Sequence, residues 1–270
     1  MIITVALLHF RHFMQLSVIV ITRNEILNIS KCLQRLDFAD EVLVLDNAST
    51  DGTAELARKW GAQVFTSEDW PGFGPQKNRV LDLAKGDWVL SIDADERVTP
   101  ELREEILSTI AMTPHLSFSI PRLSSYCGQY ILHSGWNPDY VVRLFRRREA
   151  RFSDDLVHER LLTQEPSARL KSHLMHLSFP DFESVLKKVD RYSTAGAISM
   201  SNKGKSSSIW GAFGRGAWAF FRTYVLRRGF LDGQLGLALA LSNAEGTYYR
   251  YAKLWLMQRE RLKKDDGASH

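Results

Sequence analysis

The stretch "DWVLSIDADE", residues 87–96, builds an apolar run and then sets Asp93, Asp95 and Glu96 at its end. Carboxylates brought this close repel one another unless a cation or hydrogen-bond donors offset the repulsion. The segment therefore reads as a buried strand that ends either in a capped polar loop or at a divalent cation. Working outward, the same texture recurs in "LSVIVIT" (16–22), "EVLVLD" (41–46) and "AQVFTS" (62–67). These are short β-branched runs suited to strands buried on both faces. Between them, "ILNISKCLQRLD", "TAELARKW" and "QKNRVLDLAKG" carry helical spacing.

Strands that alternate with helices imply right-handed crossovers and a mostly parallel α/β sheet. Ligands of such sheets sit at the carboxyl ends of the strands. The polar clusters fall there: "TRNE" after the first strand, "DNASTDGT" after the second and "DADE" after the fourth. Asp46, at a strand end, is placed to accept from a nucleobase N–H or ribose hydroxyls. Ser49 and Asp51 are expected to cap the next helix, with Gly52 easing the turn. "PQKNR" is expected to bring Gln76, Lys77 and Asn78 to a helix start, where Lys77 and the helix dipole would meet a phosphate. Across Asp93-Ala94-Asp95, two carboxylates can face one side of a strand end. That suits Mg²⁺ or Mn²⁺, a hard cation held by oxygens while it neutralises a diphosphate.

The remainder sets limits. The 270 residues suffice for one large α/β domain with an appendage, and 44% hydrophobic and 24% charged content is ordinary for a globular chain. Cys32 and Cys127 make neither a disulfide framework nor a metal quartet, so a reducing, cytoplasmic setting is expected. Residues 1–13, apolar only as far as Leu8, are expected to lie outside the fold. A domain over 14–180 follows, with a nucleotide-binding half (14–98) and an acceptor half (99–180). A helix near 100–111 is expected, capped by Thr99 with Pro100 in its first position. Residues 181–262 read as helices with a break at Gly229–Gly233, and 263–270 as a tail. From Lys203 to Lys264 roughly a dozen Lys/Arg face three acids among tryptophans and tyrosines, a mixture suited to an anionic surface.

Several chemistries are excluded. "TRNE" supplies no glycine where a dinucleotide fold needs G-x-G-x-x-G. "NKGKSS" lacks the glycine of a phosphate loop at Ser199 and lies in a helical stretch. "HERLL" has Leu162 where a zinc-protease helix needs its second histidine.

Taken together, "VIVITRNE", "VLVLDNASTDGT", "QKNR" and "LSIDADE" resemble the family 2 glycosyltransferases of GT-A fold. "GWNPDYVVRLFRR", "VHERL" and "RRGFLDGQLG" look like the bacterial subgroup that extends the lipopolysaccharide inner core. The resemblance implies a GT-A (Rossmann-like) sheet with a C-terminal amphipathic helical extension. It implies an inverting, metal-dependent transfer of a hexose or heptose from a nucleoside diphosphate, UDP favoured, to an acceptor hydroxyl. By that likeness Thr22, Arg23, Asn24 and Glu25 line the nucleoside pocket, Asp46 reads the base, and Asp93, Ala94 and Asp95 meet the donor. Asp95, with Asp93, would hold the metal. The Glu-Asp pair followed by Q-x-x-R-W, used by many relatives for acceptor deprotonation, is absent. The base is therefore expected at Glu159 or Asp139. Arg143 and Arg146 are candidates for the diphosphate or a phosphorylated acceptor, and His133, His158 and Trp136 for the sugar pocket. The expected partner beyond the donor is a lipid-linked core saccharide on the cytoplasmic face of the inner membrane, with no role for nucleic acid. The alternatives are a sugar-1-phosphate nucleotidyltransferase and an inactive membrane scaffold.

Overall fold

A computed structural model describes residues 16–154 and 159–267. In chain order the elements are β1 (Leu16–Thr22), α1 (Ile29–Leu33), β2 (Glu41–Asp46), α2 (Thr53–Lys59), β3 (Gln63–Thr66), α3 (Phe73–Leu83) and β4 (Trp88–Asp93). Then come β5 (Glu96–Val98), α4 (Pro100–Met112), β6 (Ser117–Tyr126), β7 (Gln129–Tyr130), β8 (Asp139–Arg146), β9 (Ala150–Phe152), β10 (Leu161–Thr163), β11 (Ala168–Arg169) and β12 (Leu174–Phe179). Three helices end the chain: α5 (Phe182–Asn202), α6 (Ile209–Phe221) and α7 (Gly233–Gly267). Residues 1–13 and His158, singled out above, lie outside the described residues.

The chain divides into two compact units, and the division does not fall at 98 or 180. One unit runs to Pro121 and resumes over Tyr140–Leu174. The other joins Arg122–Asp139 to the residues after Leu174.

In the first unit, β3, β2, β1 and β4 lie side by side in that order, all parallel, and β8 closes against β4 antiparallel. Successive side chains of a strand point to opposite faces. Val18, Val20, Val44, Leu90 and Ile92 accordingly pack with Ile29 of α1 and with Leu102 and Ile106 of α4. Ile19, Leu43, Leu45 and Val89 pack instead with Val80 and Leu81 of α3 and Phe145 of β8. This two-sided burial is why the strands read as near-continuous apolar runs. α4 begins as expected, with Pro100 in its first turn and the Thr99 hydroxyl accepting from Leu102 N at 3.1 Å. α1 is far shorter than its apolar spacing suggests, five residues, because Arg35 N–H and Leu36 N–H close tighter turns onto Cys32 and Leu33.

The second unit is built on α5, α6 and α7. Asp181 caps α5 through Ser184 N (2.7 Å), and Ser208 caps α6 through Gly211 N (3.0 Å). α6 meets α7 at Gly216, where a side chain would crowd Tyr248 Cβ and the Ala244 carbonyl at 3.1 and 3.2 Å. After α6 the helix widens into a π-turn over Arg222–Leu226 and then breaks into a 3₁₀ turn over Gly229–Asp232, at the expected break. The Asp232 carboxylate is buried and accepts from Leu132 N, His133 N and Ser134 Oγ, and it also pairs with His133 Nδ1. No described helix is long and apolar enough to cross a membrane.

Candidate active site

The first unit gathers its polar loops at the carboxyl ends of β1, β2 and β4, and short hydrogen bonds knit the first two loops together. Asp46, buried at the end of β2, accepts from Thr22 Oγ1 (2.9 Å), Ser49 N (2.8 Å) and Ser49 Oγ (2.6 Å). A carboxylate has about four acceptor sites, so one is left for a ligand. Asn24 adopts a left-handed backbone, φ 55°, which asparagine tolerates better than most residues. Its backbone N–H donates to Ser49 Oγ and its Oδ1 accepts from Thr50 N. Glu25 N is held by Thr53 Oγ1, and Ile26 N by Asp51. Ser49 therefore does not cap α2 as expected. Its hydroxyl goes to Asp46, while Asp51 accepts from Thr53 N at the helix start. Arg23 is exposed on the same loop.

At the end of β4, Asp93 does not stand as a bare metal ligand. Arg143 Nη2 reaches its Oδ2 at 2.6 Å, and Lys77 Nζ lies 3.2 Å from its Oδ1. Burial alone would raise the Asp93 carboxyl, but the charges and hydrogen bonds of Arg143 and Lys77 outweigh it and hold the group well below the usual carboxylate range. Arg143 also binds Glu96 Oε1 at 2.7 Å, and the other Glu96 oxygen accepts from Asp93 N. Glu96 is fully buried and Arg143 nearly so. Burial opposes the guanidinium charge, and the two carboxylates more than restore it. Lys77 Nζ donates in turn to Glu159 Oε1 at 2.8 Å. A chain of alternating charge thus runs Glu96–Arg143–Asp93–Lys77–Glu159.

This chain revises two expectations. Lys77 lies in the second turn of α3, not at its start, and its side chain is only 3% exposed. Its ammonium faces two carboxylates, Asp93 and Glu159. Arg143 likewise spends its charge on Asp93 and Glu96. Arg146, paired in register with Trp88 and lying 4.5 Å over that ring, sits at the opposite end of β4 and is not brought to this cluster. Gln76 and Asn78 make hydrogen bonds within the first unit. Gln76 bridges Ser67 and the Asp69 carbonyl, and Asn78 pairs with both backbone groups of Phe152. The Glu159 segment also presses on α3 at Gly74, where any side chain would collide with the Ser153 carbonyl.

The residues expected to bind a metal offer carboxylate oxygens, the donor chemistry that Mg²⁺ and Mn²⁺ take. Ala94 and Asp95 form the turn between β4 and β5, with Ala94 buried and Asp95 partly exposed. Burial pushes the nearby Glu25 carboxyl up against the Asn28 hydrogen bond, and the charges of Asp95 and Asp51 push it further. Arg97, the adjoining cation, directs its nitrogens to the carbonyls of Ala94, Glu96 and Asn28 and to Asn28 Oδ1. Glu25 thus feels the charge of two further carboxylates, Asp95 and Asp51. Among the described residues no three His, Cys, Asp or Glu groups converge to hold an ion by themselves. Mg²⁺ and Mn²⁺ bound to a diphosphate need only one or two protein carboxylates, a demand Asp95 suits.

Of the remaining candidates, Asp139 belongs to the second unit, where Arg122 grips its Oδ2 with two N–H groups at 3.0 and 2.7 Å. Trp136 and His133 lie there as well. Glu96 and Ser49 were not among the expected site residues. The three acids at 93–96 pointed to Glu96, but nothing in the sequence indicated that Arg143 would clasp it from β8.

Cutting the buried Arg143–Glu96 pair at one partner leaves a carboxylate without its counter-charge. Arg143→Met is expected to destabilise the first unit by roughly 3–5 kcal/mol. The check is the urea midpoint against the parent chain; an unchanged midpoint would mean the pair contributes no net stability.

Comparison with known proteins places this α/β architecture. Residues 17–170 match the family described as Glycosyl transferase family 2. The chain belongs to that family. It is 27% identical over 274 residues to the lipopolysaccharide core biosynthesis glycosyltransferase LpsC of Rhizobium meliloti, covering 94% of this chain and 98% of that one. It is 28% identical over 253 residues to an uncharacterised glycosyltransferase of Rickettsia prowazekii, covering 89% and 86%. Among solved structures, S. aureus TarS 1–349 in complex with UDP aligns with 92% of each chain at 18% identity and a TM-score of 0.49.

Proposed function

We propose that the chain is an inverting glycosyltransferase that moves a hexose or heptose from a nucleoside diphosphate, UDP favoured, to a heptose hydroxyl of a lipid-linked lipopolysaccharide core. One observation carries this reading. The family match spans 17–170, and within it Asp46, Asp93, Asp95 and Glu159 belong to the loops and charge chain at the strands' carboxyl ends. The full-length likeness to a lipopolysaccharide core enzyme supports the acceptor class.

In this reading Thr22 to Glu25 and Asp46 surround the nucleoside. Asp95, with Asp93 behind it, holds a divalent cation that would neutralise charge on the departing diphosphate. Glu159 accepts the proton of the acceptor hydroxyl as that oxygen bonds to the anomeric carbon and the bond to the diphosphate breaks. Lys77, bonded to both Glu159 and Asp93, fixes the base relative to the end of β4. Glu159 is preferred to Asp139 because it shares this lysine with the strand-end cluster. The test is nucleoside diphosphate release across a panel of nucleotide sugars, with and without Mn²⁺, followed by transfer to core saccharides. No release from any donor would overturn the reading in favour of a scaffold. Formation of a nucleotide sugar from a sugar 1-phosphate would favour the nucleotidyltransferase.

The inner-membrane location has its own support. Trp210, Phe213, Ala217, Trp218 and Phe221 recur at helical spacing along the exposed side of α6, and Trp210 is 80% exposed. Exposed Val225, Leu226, Phe230 and Leu231 continue the apolar surface, and Arg215, Arg222, Arg227 and Arg228 are exposed among them. Aromatic side chains favour the headgroup region, and arginines favour anionic lipid. The chain is expected to sediment with vesicles containing phosphatidylglycerol and much less with neutral phosphatidylcholine. Substituting Trp210→Ser and Trp218→Ser together should lower that binding about ten-fold or more. Equal binding by parent and variant would remove α6 from the interface.

A further inference from the structure

A cavity of about 190 Å³ lies wholly within the second unit, lined by residues of α5 and α7. Its wall is aromatic. Trp136 and Phe179 stack with centroids 5.8 Å apart and planes 29° apart, and Tyr126 meets both at 6.0 and 5.9 Å. Two cations, Lys188 and Arg250, also line it, and no acid does. Lys188 Nζ stands 4.1 Å over the Phe179 ring and gives one hydrogen bond to the Ser178 carbonyl, so two of its three donors remain. Arg250 is laid along α5 by the absence of a side chain at Gly196, where a Cβ would stand 2.7 Å from its Nε. Neither cation has a carboxylate partner among the described residues. Asp190, two residues beyond Lys188, is taken by Lys253 at 2.7 Å.

Two uncompensated cations beside an aromatic wall select an anion attached to something with an apolar face. Ligand pockets for whole drug-sized molecules run to about 300–1,000 Å³, so this one has room for a single ring rather than an acyl chain. We propose that the cavity binds an anionic sugar ring, a sugar phosphate or sugar carboxylate, with the ring on the Trp136–Phe179 wall and its anion met by Lys188 and Arg250. The inference rests on the reading of the chain as acting on a core saccharide and deepens it. The acceptor is recognised through a charged sugar, by a pocket in the helical unit.

The test titrates the full chain, without nucleotide sugar, with glucose 6-phosphate, glucose, inorganic phosphate and phosphatidylglycerol vesicles, followed by calorimetry and ligand-observed NMR. Glucose 6-phosphate is expected to bind at least about ten-fold tighter than glucose or phosphate, the worth of one charge-assisted hydrogen bond. Substituting Lys188→Met and Arg250→Met together should reduce it to the level of glucose, and Trp136→Ala should weaken both sugars alike. Thermal midpoints confirm that the variants are folded. Equal affinity for inorganic phosphate would make this an anion site only. Vesicle binding that is lost on substituting Lys188 and Arg250, with no binding of glucose 6-phosphate, would make it a lipid-headgroup site. Either result, a preference that survives loss of both cations, or no binding by the folded parent chain, overturns the proposal. Nucleoside diphosphate release is measured separately, so a failed pocket with intact donor turnover, or the reverse, identifies which of the two readings is wrong.

Discussion

Asp95→Ala is expected to lower kcat/KM for sugar transfer by roughly 10²–10³-fold, the loss of a few kcal/mol of charge stabilisation at a metal-clamped diphosphate. The expectation follows from the local charge. Asp93 is engaged by Arg143 and Lys77, and Asp95 sits partly exposed at the turn that follows, close enough for its charge to act on Glu25. Without Asp95 a cation would have to rely on the diphosphate and water, so raising Mn²⁺ should restore part of the activity. The substitution also removes one of the charges that lift the Glu25 carboxyl, so that group should titrate at lower pH in the variant, as carboxyl NMR shifts would show. Donor affinity and turnover unchanged at limiting Mn²⁺ would remove Asp95 from the metal.

Glu159→Gln should leave donor affinity nearly intact and reduce turnover about 10²–10⁴-fold, the range for loss of a positioned general base. Glutamine keeps the size of the side chain and an oxygen for Lys77 but cannot take a proton. Glu159 is about one-fifth exposed and tied at 2.8 Å to a lysine that also holds Asp93. A role confined to positioning the acceptor would appear mainly in KM. Asp139→Asn is the companion measurement. Were that variant to lose turnover while Glu159→Gln kept it, the base would be the carboxylate that Arg122 grips.

β1, β2 and β4 were legible because each is buried on both faces, so they appear in the sequence as near-continuous apolar runs that stop at polar residues. α4 announced itself through Thr99 and Pro100, two residues whose local chemistry starts a helix whatever surrounds them. α1 misled, since apolar spacing over 26–37 records burial against the sheet and not the turn type that achieves it. The acids at 93–96 were visible, but their partners were not. Arg143 is fifty residues from Asp93, Lys77 comes from another helix, and long-range ion pairs leave no periodicity. The Asp46 loop shows the same limit: Ser49 looked like a helix cap because serine often is one, yet Asp46 competes for its hydroxyl at 2.6 Å. Lys188 and Arg250 read as ordinary basic residues of a charged helical region, and only the absence of acids among the residues lining the cavity sets them apart.

The Asp232 carboxylate gathers Leu132, His133 and Ser134 from about a hundred residues earlier in the chain. The helical region is thus no detachable module, because it completes a loop that the chain began long before. A protein cut before α5 would strand residues 122–139, leaving Trp136 without the helices that wall its cavity. Exchange of this tail between relatives would have to carry the 122–139 segment with it. Chimeras that respect this pairing should fold where simple tail swaps do not.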